Sequence, residues 1–309
     1  MAITLKEAHL RRLCAINNFP APDAAVGNMI LFGLRGCLPL TEASHQFAEQ
    51  HEVEITAVNY QSPCCTIGQW LPAERKLALF PGSTVPHISG VRQGLARGGQ
   101  GVNQLMTGYY KDYRKGVHKA GTPTGHPAFR QTEGRPIRRT AEDLDFDNDD
   151  RVEVRNPFDN IHAGWSMGGS QSSFSSLGCQ VVVGYPRCPR REDRPDSGPW
   201  RIFKSNAYSL TQDRFPYFLL NGGDARVVVT SDAPLPAKLR FGSQSALVGQ
   251  VQEKLKAQGF YEGILDASFG ERTLRSVLEF QTARFGPDAD DGIVGPITAS
   301  ELDLAWPSV

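Results

Sequence analysis

The chain has 309 residues, with 33 Lys plus Arg against 33 Asp plus Glu, and is 40% hydrophobic and 21% charged. That is an ordinary composition for a chain of about two folded domains, and a balanced charge provides no field to gather nucleic acid or an anionic membrane. No apolar run approaches the roughly 20 residues of a membrane-spanning helix, and six cysteines are too sparse for a disulfide scaffold at this length.

Met1–Arg12 carries charges but lacks the apolar stretch of about 7–15 residues that a Sec leader has. Synthesis in the cytoplasm and delivery to the periplasm or wall by a non-Sec route are therefore expected. Glu7–Asn17 and Thr41–His51 read as helices. Met29–Leu34, Val53–Val58, Leu77–Phe80, Gln180–Val183 and Phe215–Leu220 read as strands, as does the β-branched run Ala225–Thr230. Pro81–His87 is a turn-rich loop. Gly94–Gly101 lacks the Lys-Ser/Thr ending of a phosphate loop. Asp145–Asp150 lacks the glycine and terminal acid of a calcium loop. Arg187, Arg190, Arg191 and Arg194 read as a solvated basic loop. No zinc-type Cys/His spacing occurs, so no metal or other cofactor is expected.

The segment most suggestive of chemistry runs from Asn160-Ile-His162-Ala-Gly164 through Gly168, Gly169, Ser170 and Ser172 to Ser175-Ser-Leu-Gly178-Cys179 and the strand Gln180–Val183. His162 precedes Cys179 by 17 positions across a Gly/Ser-rich loop. A thiol needs a base to become a nucleophile, and one imidazole both takes its proton and later protonates a leaving amine. Gly178 removes a side chain where backbone N–H groups would meet an oxyanion, making the amides of Gly178 and Cys179 candidate donors.

This arrangement resembles the YkuD-type L,D-transpeptidase family, whose signature places a His before Ser/Thr-His-Gly-Cys at a strand. On that resemblance His162 matches the signature His, Ser176 the Ser/Thr, Gly178 the Gly and Cys179 the nucleophile. Gly121-Thr-Pro-Thr-Gly125 resembles the family's T-P-x-G segment. Leu177 stands where the family has His, and Gln180 and Val181 depart from its usual residues. The resemblance implies a β-sandwich-like fold and an acyl-enzyme on the diaminopimelate carbonyl of a tetrapeptide stem. Its core covers about 115–190. Thr124, Tyr109, Tyr110, His126 and Gln180 are the expected substrate contacts, with Arg114 and His118 further candidates beside the T-P-x-G segment.

Ser231–Lys238, with two prolines, reads as a linker. Beyond it Val248, Val251 and Leu255 share one helix face, Leu274, Val277, Leu278 and Gln281 share another, and a third helix starts at Pro296. Asp266, Phe269, Gly270 and Thr273 recur 25 positions later as Asp291, Val294, Gly295 and Thr298. With Leu239-Arg-Phe-Gly-Ser243, Val251-Gln-Glu-Lys-Leu255, Gly259-Phe-Tyr261 and Phe280-Gln281, this repeat resembles peptidoglycan-binding domain 1, a three-helix module of wall hydrolases.

The expected class is α+β: a mainly-β, YkuD-like catalytic domain over 1–230, a linker at 231–238 and a three-helix peptidoglycan-binding domain over 239–309. The expected activity is cysteine acyl transfer on peptidoglycan stem peptides, by hydrolysis (L,D-carboxypeptidase or endopeptidase) or exchange, in a phage lysin or an injected antibacterial effector. A secretion machine or immunity protein would be a further partner in the second case. The rivals are a non-catalytic wall-binding structural protein, such as a phage tail component, and a different wall hydrolase with its site in 1–110.

Overall fold

The computed structural model describes residues 1–20, 28–98, 101–140, 146, 150–168 and 173–309. Gly169, Ser170 and Ser172, most of the acidic 145–150 loop, and positions 99–100 of the Gly-rich run lie outside them.

The chain opens with β1 (Ala2–Lys6) and α1 (Glu7–Ile16), followed by β2 (Ile30–Arg35), β3 (Cys37–Pro39), β4 (Gln50–Ile55), β5 (Cys65–Leu71), β6 (Lys76–Ser83) and α2 (Ile88–Arg97). Next come β7 (Val102–Leu105), β8 (Gly108–His118), β9 (His126–Gln131), β10 (Arg135–Thr140), β11 (Arg151–Arg155), β12 (Ile161–Ala163) and β13 (Gln180–Val182). Then α3 (Gly198–Tyr208), β14 (Arg214–Asn221) and α4 (Gly222–Thr230) precede α5 (Ala246–Ala257), α6 (Glu271–Phe285) and α7 (Pro296–Glu301). Among the described residues no helix is long and apolar enough to cross a membrane.

Eight strands close into a barrel in the order β12-β13-β6-β5-β2-β14-β8-β9, and two three-stranded sheets, β1-β4-β3 and β11-β10-β7, flank it. The β-sandwich-like fold implied by the resemblance is thus replaced by a closed sheet. Its hydrophobic strands are near-continuous because both faces are covered. Along β2, Ile30, Phe32 and Leu34 pack with α1, α4 and the first small sheet, while Leu31 faces a second core with Trp200 and Phe203 of α3. Side chains alternate across a strand, so β14 divides likewise, Phe218 and Leu220 to one core, Tyr217 and Leu219 to the other.

Three readings of local structure change. Thr41–His51 is a 3₁₀ turn at Glu42–His45 and then the start of β4. Ala225–Thr230, β-branched by composition, is the helix α4, because Asp224 Oδ2 accepts from the Asn221 N–H at its start and Ala225 and Val228 bury against α1. Tertiary packing outweighs the intrinsic preference there. The proline segment 231–238 is tied to the body: Leu235 N donates to Val309 O and Leu235 O accepts from Val309 N, Ala237 N donates to Pro307 O, and Lys238 N to Ile16 O.

The C-terminal helices enclose their own core of Val248, Val251, Leu255, Phe269, Leu274, Val277, Phe280 and Val294. The sequence repeat is a repeat of one hydrogen-bonding device. Gln252 Nε2 donates to Asp266 Oδ1 (2.8 Å), Ser268 O and Thr273 Oγ1; Gln281 Nε2 donates to Asp291 Oδ1 (2.8 Å), Ile293 O and Thr298 Oγ1. Each Gln Oε1 accepts a loop N–H, from Ala267 and Gly292. Each acidic residue, the residue two positions on and the Thr are thereby gathered around one buried amide. Gln252→Ala and Gln281→Ala are each expected to destabilise the protein by about 1–3 kcal/mol, read as a lowered urea midpoint, since several buried partners lose their bonds at once.

The helices dock directly on the barrel domain. Tyr109 N donates to Phe241 O (2.9 Å), and Gly242 adopts φ +90° where an added Cβ would lie 2.3 Å from Tyr109 O. Arg240, fully buried, donates to Thr107 Oγ1 and pairs with Asp224. Met106 and Val152 join the helical core, and Arg138 of β10 donates to Asp290 O.

Candidate active site

The β12–β13 pair is parallel, with His162 opposite Val181, so the residue before β13, Cys179, is delivered beside His162. Strand β12 closes the barrel against β9 through the single pair Ile161–Phe129, whereas β8 and β9 form a long hairpin in which His118 faces His126 across the strands. The Thr122–Gly125 turn joins them, with Gly125 N donating to Thr122 O. This topology gathers three imidazoles. His118 and His162 stack with centroids 4.0 Å apart, and His126 lies 5.4 Å from each.

A cleft of about 730 Å³ opens over this cluster, lined among others by Asn103, His118, Lys119, Phe158, His162 and Cys179. Cys179 is 9% exposed and forms part of its wall. Its Sγ and one ring nitrogen each of His118 and His162 lie within 4.8 Å of one another. A side cavity of about 240 Å³, sharing His118, Lys119 and His162, adds Thr124, His126, Trp165 and Arg190.

Hydrogen bonds fix the tautomers. His162 Nδ1 lies 2.7 Å from Ala163 O, which only accepts; Nδ1 therefore carries the proton and Nε2 the lone pair. At His118 the outcome is opposite. The Gln131 backbone N–H donates to Asn160 Oδ1 (3.0 Å), which turns Asn160 Nδ2 onto His118 Nδ1 (2.9 Å). His118 thus accepts at Nδ1 and bears its proton at Nε2. His, His and Cys at this spacing form a donor set that a borderline-soft cation takes. A cation on His118 Nε2 would need the other tautomer and so the loss of the Asn160 bond.

The turn before Cys179 is held from within. Ser176 Oγ donates to Cys179 O (2.8 Å) and accepts from Gly178 N (3.1 Å), and Ser176 O accepts from His87 N of the loop after β6. Gly178 sits at φ +135°, where a Cβ would lie 2.1 Å from Asn103 Nδ2 and 2.8 Å from Asp159 Oδ1. The Gly178 N–H, one of the two donors suggested by the sequence, is therefore occupied.

Burial pushes the Cys179 thiol well above its ordinary value, and the Asp159 carboxyl adds to this; burial also pushes His162 well below its own, with His118 and His126 contributing. The resting pair is a neutral thiol beside a neutral imidazole. Burial lowers His118 to about 3 and lowers His126, and raises the Asp159 carboxyl, hydrogen-bonded to Asn103 Nδ2, to about 8. The unfolded imidazole titrates near 6.5. Each histidine's contribution to stability is complete above about 6.5 and lost as pH falls toward its folded value. Asp159 has the opposite sign, complete below about 4 and lost as pH rises to about 8. Toward acid pH the three imidazoles lower the stability while Asp159 raises it, and with three groups against one the urea midpoint should fall between pH 7 and 4. His126→Gln should reduce that loss, and a midpoint independent of pH would contradict it.

Of the expected substrate contacts, Thr124 and His126 line the side cavity. Tyr109, Tyr110 and Gln180 are corrected. The tyrosines occupy the far end of β8, about 25 Å along the strand from His118, where Tyr109 packs on Phe19 and Tyr110 donates to Met106 O. Gln180 is fully buried in the barrel, donating to Gly178 O and accepting from Tyr217 Oη. Arg114 pairs with Asp112 away from the cleft. Asn103, Asp159 and Asn160 were not singled out as site residues in the sequence. The Asn160-Ile-His162 context is the only local signal that could have drawn in Asp159 and Asn160.

Comparison with known families settles the identity of one part. Residues 244–302 match the family model of the peptidoglycan-binding domain, PG_binding_1. The chain carries a peptidoglycan-binding domain. No curated protein and no solved structure matches the chain. The matched residues include both Gln-centred loops, so the repeat and the peptidoglycan-binding module coincide.

Proposed function

We propose that the chain is a cysteine acyl-transfer enzyme that cleaves or exchanges stem-peptide bonds of peptidoglycan. The observation that carries this reading is the meeting of Cys179 Sγ and His162 within 4.8 Å in the wall of an open cleft, on a chain with a peptidoglycan-binding domain. In the reaction, His162 Nε2 takes the thiol proton as sulfur attacks the carbonyl carbon. The C=O π pair moves to oxygen, then returns as the C–N bond breaks, and His162 protonates the departing amine. Water or a second amine, deprotonated by His162, attacks the thioester and releases the thiol. Lys119, Arg130 and Arg190 on the cleft and side cavity supply charge for the carboxylates of a stem peptide. Docking through Arg240 and Phe241 ties the binding module to the catalytic body, which raises the local concentration of substrate. The resemblance to the L,D-transpeptidase signature implies attack at the diaminopimelate carbonyl, which is the bond this reading adopts.

The test is incubation of purified sacculi with the full chain, followed by mass analysis of muropeptides. New tripeptide, shortened or newly crosslinked species are expected. An unchanged profile over sacculi of differing stem composition would leave a wall-binding protein without this activity.

A further inference from the structure

An acyl-transfer site needs donors for the developing oxyanion, and here one expected donor is spent, since Gly178 N is bonded to Ser176 Oγ. The cluster offers another. His118 is 9% exposed, lines both cavities and brings a ring nitrogen within 4.8 Å of Cys179 Sγ. Its tautomer is set through two successive bonds that begin at a backbone amide. Gln131 N is an obligate donor, so Asn160 presents Oδ1 to it and Nδ2 to His118 Nδ1, leaving Nε2–H as the end of the ring with no hydrogen-bond partner among the described residues. Asn160 is buried and lies at the antiparallel junction of β9 and β12, so this arrangement is part of the barrel closure itself. His162, stacked on it, is set to the opposite tautomer by Ala163 O. One ring of the stacked pair therefore offers a lone pair and the other an N–H, which are the two functions acyl transfer requires side by side.

We propose that His118 is a catalytic residue whose neutral Nε2–H donates to the oxyanion of the tetrahedral intermediate, while His162 handles the protons. This rests on the cysteine acyl-transfer reading above. The step requires no co-reactant: the negative charge on the former carbonyl oxygen is held by the Nε2–H bond while the C–S bond exists, and is lost when the C=O re-forms. His118 Nδ1 is engaged by Asn160 Nδ2 and its Nε2 already bears the proton, so the ring presents no free lone pair to compete with His162 for the thiol proton.

The test separates oxyanion chemistry from thiol activation, using the full-length protein and two probes of Cys179. Iodoacetamide alkylates sulfur without an oxyanion; p-nitrophenyl acetate acylates it through one, and peptide mass mapping confirms Cys179 as the site. His118→Met, of similar reach with no donor, is expected to slow ester acylation about 100- to 1000-fold, with iodoacetamide alkylation essentially unchanged. His118→Gln, which retains an amide N–H near the Nε2 position, should recover most of the loss. Equal effects on both probes, or no effect on either, would overturn the assignment. Should the Met variant not fold, ¹⁵N spectra of the histidine-labelled wild type decide: His118 protonated at Nε2 is expected, and protonation at Nδ1 would overturn the proposal. Ester acylation of Cys179 in a protein inert toward sacculi would refute the peptidoglycan reading alone. Failure of Cys179 to acylate at all would refute both.

Discussion

Cys179→Ala should abolish muropeptide conversion, by at least about 1000-fold, while binding to sacculi stays as in the wild type. The substitution keeps Cβ and removes only sulfur, which donates to Phe158 O over a long 3.7 Å contact. Little stability rests on that contact. The peptidoglycan-binding match spans 244–302 and excludes Cys179 and His162, so binding and conversion are separable by one atom. A co-sedimentation assay with sacculi beside the muropeptide profile reads both. Conversion retained by the Ala variant would assign the chemistry elsewhere, for example to residues 1–110.

Arg240→Ala is expected to destabilise the protein by about 3–5 kcal/mol, the largest stability effect among the substitutions considered. Burial alone would raise the Asp224 carboxyl, yet Arg240 and Lys238 overcome it and hold the group below the usual carboxylate range. Truncating Arg240 leaves Asp224, whose side chain is 10% exposed, with the half-exposed Lys238 as its remaining cation. Because the folded value is depressed, this contribution is present above the ordinary carboxylate range near 4 and lost as pH falls through the folded value. The Asp224→Asn, Arg240→Ala double variant should recover part of the loss, since no buried charge is then left unpaired. Guanidinium unfolding of the single and double variants tests this; equal stability of the Arg240→Ala single variant and wild type would contradict it. The same cluster joins α4 to the end of segment 231–238: Asp224 lies on α4, Lys238 closes that segment and Arg240 lies just beyond it.

What the sequence disclosed follows from how local each signal is. The Asp-x-x-apolar-Gly-x-x-Thr repeat was visible because each loop is assembled within about 25 residues, around Gln252 or Gln281. His162 and Cys179 are legible because each stands at one of two adjacent parallel strands that are consecutive in the chain. His118 was only one of several candidates near the T-P-x-G turn. Its place in the site depends on closure of the barrel between β9 and β12, a contact 30 to 40 residues distant in sequence that no periodicity encodes. Tyr109 and Tyr110 are near that turn in sequence but not in space, because an extended strand carries them to the other end of the barrel. Alternation along β13 turns the Gln180 side chain inward, next to an outward-opening Cys179, and sequence adjacency alone does not show this. The β-branched 225–230 run reads as a strand until Asp224 at its start and the packing of α1 against it are known.

The account rests on Cys179 becoming covalently acylated, and rapid quenching measures this directly. The full-length protein is mixed with a tetrapeptide muropeptide, quenched in acid within the first turnovers, digested and mapped by mass. The expected result is the stem-acyl increment on the peptide containing Cys179, absent in His162→Ala. Turnover of the muropeptide with Cys179 unmodified at every quench time, or the increment on another residue, would contradict it.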